Sequence, residues 1–196
     1  MHKNTNIIII CEGHSEVAYI SEIRRLLRER NIAINLIPKK AINGFYDSII
    51  KIYKKIRKEN RGNTDIRIWV DYDIYSRNEK GCMTDYNKTK ATIPFMFSYQ
   101  NFEDFLALHV DDDSVLQNWI NVCAKNNHFQ SPMHFEQYEP LVRKHLFLNY
   151  KKGYLPFELT EAKIKHLFRR YCNPANSNTL SSDFTEFLKN EVLIYP

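Results

Sequence analysis

Glycine is scarce in this chain, at 5 of 196 residues, and proline is little commoner at 7. So small a supply argues against fibrous, linker-like or low-complexity stretches. No glycine belongs to a Walker-type phosphate loop or to a G-x-S-x-G elbow, which removes P-loop nucleotide chemistry and the hydrolase serine. The cysteines Cys11, Cys82, Cys123 and Cys172 are far apart with no CxxC pair. A structural zinc site therefore lacks its usual ligand spacing, and reduced, buried thiols are expected. No apolar run approaches the ~20 residues of a membrane span. The N-terminal segment turns acidic at Glu12, too soon for a secretory signal. The expectation is a cytoplasmic protein with no membrane partner.

The hydrophobic fraction of 43% is enough for a core, and the length suits one domain or one domain with an appendage. The net charge is +5, and the excess is clustered. Arg24, Arg25, Arg28 and Arg30 share one predicted helix, and Lys51, Lys54, Lys55, Arg57 and Lys58 share another. The pairs Lys39-Lys40, Lys151-Lys152 and Arg169-Arg170 add to these. Such clusters can neutralise phosphates, although each also suits an ordinary solvated face.

The most telling stretch is Ile7-Ile8-Ile9-Ile10-Cys11-Glu12-Gly13-His14-Ser15-Glu16. A continuous β-branched run reads as a strand buried on both faces of a parallel sheet. Gly13 permits a tight turn, and Ser15 with Glu16 suits the start of a helix. Glu12 thus falls at the carboxyl end of a buried strand, where open α/β sheets bind their ligands.

The rest of the N-terminal part continues in that style. A helix is predicted over 14–30, a strand over 32–37 closed by Pro38, a turn at Asn43-Gly44 and a helix over 45–59. A turn at Arg61-Gly62-Asn63 leads to strands over 65–71 and 92–97, with Pro94 signalling an edge position or a late start. This alternation predicts a mostly parallel α/β sheet of about four strands, with all carboxyl ends on one edge. Beyond residue 102 helical segments follow near 103–109, 114–125, 135–148, 160–171 and 181–193. Pro140 interrupts the third, while Pro132, Gly153, Pro156 and Pro174 punctuate the joins. The predicted organisation is a sheet core over 1–110 and a helical C-terminal extension over 111–196 packed on it.

Asp71-Tyr72-Asp73 ends the third strand. Carboxylates at i and i+2 on extended backbone point to one side and can converge on a hard cation, with Glu12 from the first strand completing the cluster. Glu16 lies at a helix N-terminus, where negative charge is favoured. The plainer alternative is a pair of solvated loop acids and a helix-capping glutamate.

These segments resemble a known family. Ile9-Ile10-Cys11-Glu12-Gly13-His14-Ser15-Glu16-Val17-Ala18-Tyr19 is similar to the opening motif of RloB-like proteins of the Toprim superfamily, and Val70-Asp71-Tyr72-Asp73 matches the Toprim Asp-x-Asp element. Ser98-Tyr99-Gln100-Asn101-Phe102-Glu103-Asp104-Phe105-Leu106-Ala107-Leu108-His109 looks like the third element, a strand and turn, then Phe-Glu and an apolar helix ending in His. Two departures stand out. Tyr99-Gln100-Asn101 replaces a Ser-Asn-Pro turn, and residues 78–91 replace a longer helix.

The resemblance implies a Toprim-like fold and a metal-dependent active site, set in bacterial restriction or phage defence. By position Glu12 matches the general acid/base glutamate, and Asp71 and Asp73 match the metal-binding pair. Glu16 and Glu103 match further acids able to support a second ion. The expected cofactor is Mg²⁺ or Mn²⁺. The expected activity is hydrolysis of phosphodiester bonds in DNA or RNA, with a coordinated water activated and transition-state charge screened. The alternative is a nucleic-acid-binding or sensor subunit, active only with a partner such as the ATPase of a defence system; a homodimer is also open. A dehalogenase-type phosphatase fits less well, because its Asp-x-Asp usually follows the first strand. A sugar-nucleotide transferase would leave the Cys-Glu-Gly-x-Ser-Glu element unexplained. His14 could approach substrate, and Tyr72, Tyr75 and Tyr99 could stack on bases. Cys11 reads as packing, and His109, His128, His134, His145 and His166 as core or surface polar residues.

Overall fold

In the computed structural model, residues 5–60, 64–170 and 180–193 are described. The expected turn at 61–63, Cys172 and Pro174 lie outside them. The isoleucine run forms β1 (Thr5–Cys11), followed by α1 (His14–Glu29), β2 (Ile34–Lys40), α2 (Tyr46–Glu59) and β3 (Asp65–Asp71). A short helical turn α3 (Asp73–Ser76) and α4 (Cys82–Thr89) lead to β4 (Phe95–Tyr99) and α5 (Phe102–Ala107). The C-terminal part holds α6 (Asp113–Lys125), α7 (Phe135–His145), α8 (Glu161–Arg170), a two-residue strand β5 (Ser181–Ser182) and α9 (Asp183–Phe187), which runs on through Leu188–Val192.

The sheet order is β2-β1-β3-β4-β5. The first four strands pair in parallel and β5 joins antiparallel. Alternation along β1 explains the layering. Ile7, Ile9 and Cys11 enter a core with Tyr19, Trp69, Phe105 and the C-terminal helices. Ile8 and Ile10 enter a second core with Ile49, Tyr53, Ile68 and Val70 beneath α2 and α4. Both faces of β1 are covered, which is what an unbroken apolar run requires. No helix among the described residues is long and apolar enough to cross a membrane.

Four expectations need correction. The sheet has five strands rather than about four, because the segment expected to be helical from 181 first adds Ser181–Ser182 beside β4. β2 does not stop at Pro38 but continues to Lys40, with Pro38 opposite Ile9. As the sheet's edge strand β2 can spare one N–H, so proline costs it no ladder bond. α7 continues through Pro140 to His145 instead of breaking there. Asp71 and Asp73 do not share extended backbone either: Tyr72 between them is helical (φ −80°, ψ −17°), so Asp71 ends a strand and Asp73 opens α3. As for Pro94, it precedes β4, which starts late and lies inside the sheet.

Candidate metal centre at the carboxyl edge of the sheet

Parallel pairing of β1 with β3 brings two loops to the same rim. Glu12, just past β1, accepts a hydrogen bond at Oε2 from the backbone N–H of Asp71, at 3.1 Å. Its own N–H donates to the Trp69 carbonyl, at 3.2 Å. Glu16, one turn into α1, is only 4% exposed and accepts the Gly13 N–H at Oε2, at 3.2 Å. It is therefore a helix-capping residue as well as a member of the cluster. Carboxylate oxygens of Glu12, Glu16 and Asp71 lie within 4.8 Å of one another. The Oδ1 atom of Asp71 is buried and has no hydrogen-bond partner.

Asp73 and Glu103 line the same cavity, of about 430 Å³, but stand outside that tight trio. Asp73 is drawn aside by Arg77, at 2.9 Å, and by the Ile74 N–H. Glu103 is buried and takes a short hydrogen bond from the Tyr150 hydroxyl. The altered turn at residues 99–101 thus leaves Glu103 on the cavity wall. His14 lies on this wall also. Tyr75 is buried in the second core, and Tyr72 packs on Phe97 and Tyr99.

Burial of so many acids together works against their ionisation. Glu12 is pushed up to about 8, first by desolvation and then by the charges of Glu16 and Asp73. Glu16 is pushed up to about 7, again by desolvation first. Asp71 stands well above the carboxylate range for the same reason, with Glu12 as its strongest neighbouring charge. Asp73 and Glu103 are raised too, chiefly by burial. An acid cluster of this kind holds protons at neutral pH unless a cation replaces them.

Two supporting arrangements were not visible in the sequence. Gly44 approaches Glu12 so closely that a methyl group built there would lie 2.7 Å from Oε1 and nearer still to Oε2. Asp104 forms a buried hub. It accepts hydrogen bonds from Gln100 N–H (3.3 Å), Asn101 N–H (3.1 Å), His128 Nε2 (2.9 Å) and Trp119 Nε1 (2.9 Å). His128 Nδ1 in turn accepts the Met133 N–H, at 3.0 Å. A ring nitrogen that accepts carries no proton, so His128 is neutral and its Nε2–H donates to Asp104. The Gln100 carbonyl accepts the N–H groups of Tyr72 (3.0 Å) and Asp73 (3.2 Å). The hub therefore fixes the turn that carries the Asp-x-Asp pair. Asp104, Cys123 and His128 also sit close enough to hold a metal, yet these hydrogen bonds already account for Asp104 and both nitrogens of His128.

The remaining candidates are structural. His109 is buried with its Nδ1 3.2 Å from the Phe105 carbonyl and its Nε2 2.8 Å from the Tyr19 hydroxyl. The aromatic residue of the first motif thus meets the histidine that ends the third. Burial holds His109 down at about 3, so it stays neutral. Cys11, Cys82 and Cys123 are free and buried, and burial pushes their thiols up. The cationic side chains on the cavity wall are Lys40 and Lys152, not the clusters of α1 or α2. Arg25 of α1 and Arg30 just past its end are engaged with Glu22, Glu29 and Glu161.

The fold and the site define an α/β protein with an acidic cavity at the carboxyl edge of a mostly parallel sheet. The chain matches the profile of the RloB-like protein family over residues 7–189, and it belongs to that family. No curated protein and no solved structure gives a match.

Proposed function

We propose that the chain is a Toprim-type nuclease that hydrolyses phosphodiester bonds with Mg²⁺ or Mn²⁺, in the setting of antiviral defence. The observation that carries this reading is the Asp71 carboxylate, with one oxygen buried and unpartnered beside the acids of Glu12 and Glu16. A buried acceptor without a donor costs about 1–3 kcal/mol or more for a charged group, and a hard divalent cation would remove that cost. The donor set, oxygen only, suits Mg²⁺ or Mn²⁺ rather than zinc. The order β2-β1-β3-β4, with an acid after β1 and another after β3, supports the Toprim assignment.

Glu12, Glu16 and Asp71 would hold the ion, with Asp73 and Glu103 available to a second. When bound, the ion would lower the pKa of a coordinated water and screen phosphate charge. Glu12 would either ligate the ion or shuttle a proton, depending on how many ions bind; its rise to about 8 belongs to the metal-free cluster, because a bound cation would drive the proton off. The Asp71 N–H holds one Glu12 oxygen in place, and the Tyr150 hydroxyl orients Glu103. Lys40 and Lys152 offer positive charge on the cavity wall for the nucleic-acid backbone. Arg77 keeps Asp73 from closing on the trio in the absence of an ion.

The deciding assay incubates plasmid, single-stranded DNA and total RNA with the protein and Mg²⁺ or Mn²⁺. Cleavage should stop with EDTA and fall at least ~100-fold in Glu12→Gln and in Asp71→Asn. Activity that survives both substitutions would reject the site. Cleavage that requires an added protein partner would move the assignment to a partner-dependent subunit.

A further inference from the structure

The cavity that holds the acids has a second chemical character at its mouth. The large hydrophobic side chains exposed among the described residues are Ile42, Phe135, Leu148 and Tyr154. Ile42, 80% exposed, and Phe135, 37% exposed, both line the acidic cavity. Tyr154 lines the adjoining depression, and Gly153 borders both. Lysines accompany these groups. Lys40, two residues before Ile42 in sequence, lines the same cavity. Lys152 Nζ is 4.2 Å from the centre of the Phe135 ring, and Lys151 Nζ is 4.8 Å from that of Tyr154. Single exposed apolar residues need no explanation, but two that line one acidic cavity, with a third on the depression beside it, do.

We infer that this cavity receives an unpaired nucleotide, so that the substrate is single-stranded or locally unpaired nucleic acid. The inference rests on the nucleic-acid reading above and names its substrate class. The base lies against Ile42 or Phe135, and the flanking phosphates meet Lys40 and Lys152. In a duplex the base faces are stacked on one another and only their edges reach the grooves. Beside a duplex these apolar side chains would meet only sugars and base edges, not a base face. An unpaired base offers its full face, and stacking on aromatic or apolar side chains strengthens binding without sequence preference. Depth argues the same way. Glu16 and Glu103, which line the cavity, are only 4% and 7% exposed, so a phosphodiester must enter the concavity to reach them. A single strand can bend into it, whereas a duplex brings its second strand against the walls. The volume of about 430 Å³ falls in the range of small-ligand sites, roughly 300–1,000 Å³. The Gly153 N–H donates to the Ser15 hydroxyl, at 3.0 Å, which ties the lysine-bearing loop to the start of α1.

The test measures fluorescence anisotropy of labelled single-stranded DNA, single-stranded RNA and a DNA duplex of equal length, in EDTA and in Ca²⁺. It uses the wild type, Ile42→Ala, Phe135→Ala and Leu148→Ala. All three positions are exposed, so folding should be kept, and Leu148 serves as the apolar control outside the cavity. A single strand should bind at least ~10-fold more tightly than the duplex, and each cavity variant should lose roughly fivefold to 100-fold while Leu148→Ala loses nothing. The DNA and RNA arms tell which sugar is preferred. Equal affinity for duplex, no binding to either single strand, or cavity variants no weaker than Leu148→Ala would overturn the inference. Parallel cleavage assays keep it apart from the nuclease reading. Equal cleavage of duplex and single strand overturns the inference and leaves the nuclease. Selective single-strand binding, sensitive to Ile42 and Phe135 but with no metal-dependent cleavage, supports the inference and removes the nuclease.

Discussion

Replacing Gly44 with alanine perturbs the candidate metal centre without touching any acid. The added methyl would lie 2.7 Å from Glu12 Oε1 and closer to Oε2, where ordinary contact begins at 3.4 Å. Gly44 adopts no left-handed backbone that would itself exclude alanine. The Glu12 carboxylate must therefore retreat by about 1 Å, a displacement that typically costs a positioned group ~100-fold in rate. The retreat also stretches the bond from the Asp71 N–H to Glu12 Oε2, now 3.1 Å. Overpacking of this kind costs about 1–3 kcal/mol of stability. Two assays follow, Mn²⁺ affinity by calorimetry and metal-dependent cleavage. Gly44→Ala should weaken the first at least ~10-fold and the second ~100-fold. In a Glu12→Ala background the same change should have little effect, because the crowded carboxylate is gone. A Gly44→Ala protein with wild-type Mn²⁺ affinity would show that Glu12 does not hold the ion from this position.

Three other outcomes are expected. Glu12 and Glu16 titrate near 8 and 7 in the folded protein but near 4.3 when unfolded. The folded state therefore binds more protons between these values, and metal-free stability should fall as pH rises from about 4.5 to 8, at up to ~1.4 kcal/mol per pH unit for each group. Mn²⁺ should restore stability increasingly toward pH 8; urea unfolding at several pH values, with and without Mn²⁺, checks both slopes, and a flat metal-free profile would contradict the buried acids. Asp104→Asn should lower stability by about 3 kcal/mol, because a buried charge that accepts several hydrogen bonds loses its fit. The same variant should weaken Mn²⁺ binding by loosening the Gln100 turn beneath Asp73; denaturant midpoints and Mn²⁺ titration measure the two losses, and unchanged Mn²⁺ affinity in folded protein would uncouple the hub from the site. Arg77→Ala should free Asp73 and tighten Mn²⁺ binding severalfold, since Asp73 no longer competes for a fixed cation; weaker binding would mean that Arg77 orients Asp73 usefully.

Parts of this arrangement could be read in advance because they depend on local pattern. Four β-branched residues in a row have few homes other than a strand covered on both sides, and parallel pairing then carries Glu12 to the rim where β3 ends. Local pattern says less where a distant group sets the geometry. The helical turn at Tyr72 depends on the Gln100 carbonyl, so extended spacing could not reveal that Asp73 would swing toward Arg77. Pro38 looked like a strand end because proline lacks a donor, but edge position was a property of the whole sheet. β5 consists of two serines, which carry no apolar alternation to signal a strand. Gly44 stood out only as a turn residue, since its contact with Glu12 crosses from β1 to the loop before α2.

The C-terminal part bears on the site as directly as the motifs do. Tyr150 holds Glu103, Gly153 is anchored to Ser15, and Met133, Phe135 and Lys152 line the acid cavity. His128, from the loop after α6, completes the hub that supports the Asp-x-Asp turn. Leu141, Val142, Ile164, Leu167 and Phe184 share one core with Ile7, Ile9 and Trp69. A chain ending near residue 110 would keep Glu12, Glu16, Asp71, Asp73 and Glu103. It would lose the Tyr150 donor, the Lys152 charge that favours ionisation of Glu12 and Glu16, and one wall of the cavity. It would also expose the apolar face of β1 that those helices cover. The proposed metal centre therefore draws on both halves of the chain, and removing the helical half should cost it Mn²⁺ affinity even with every acid in place.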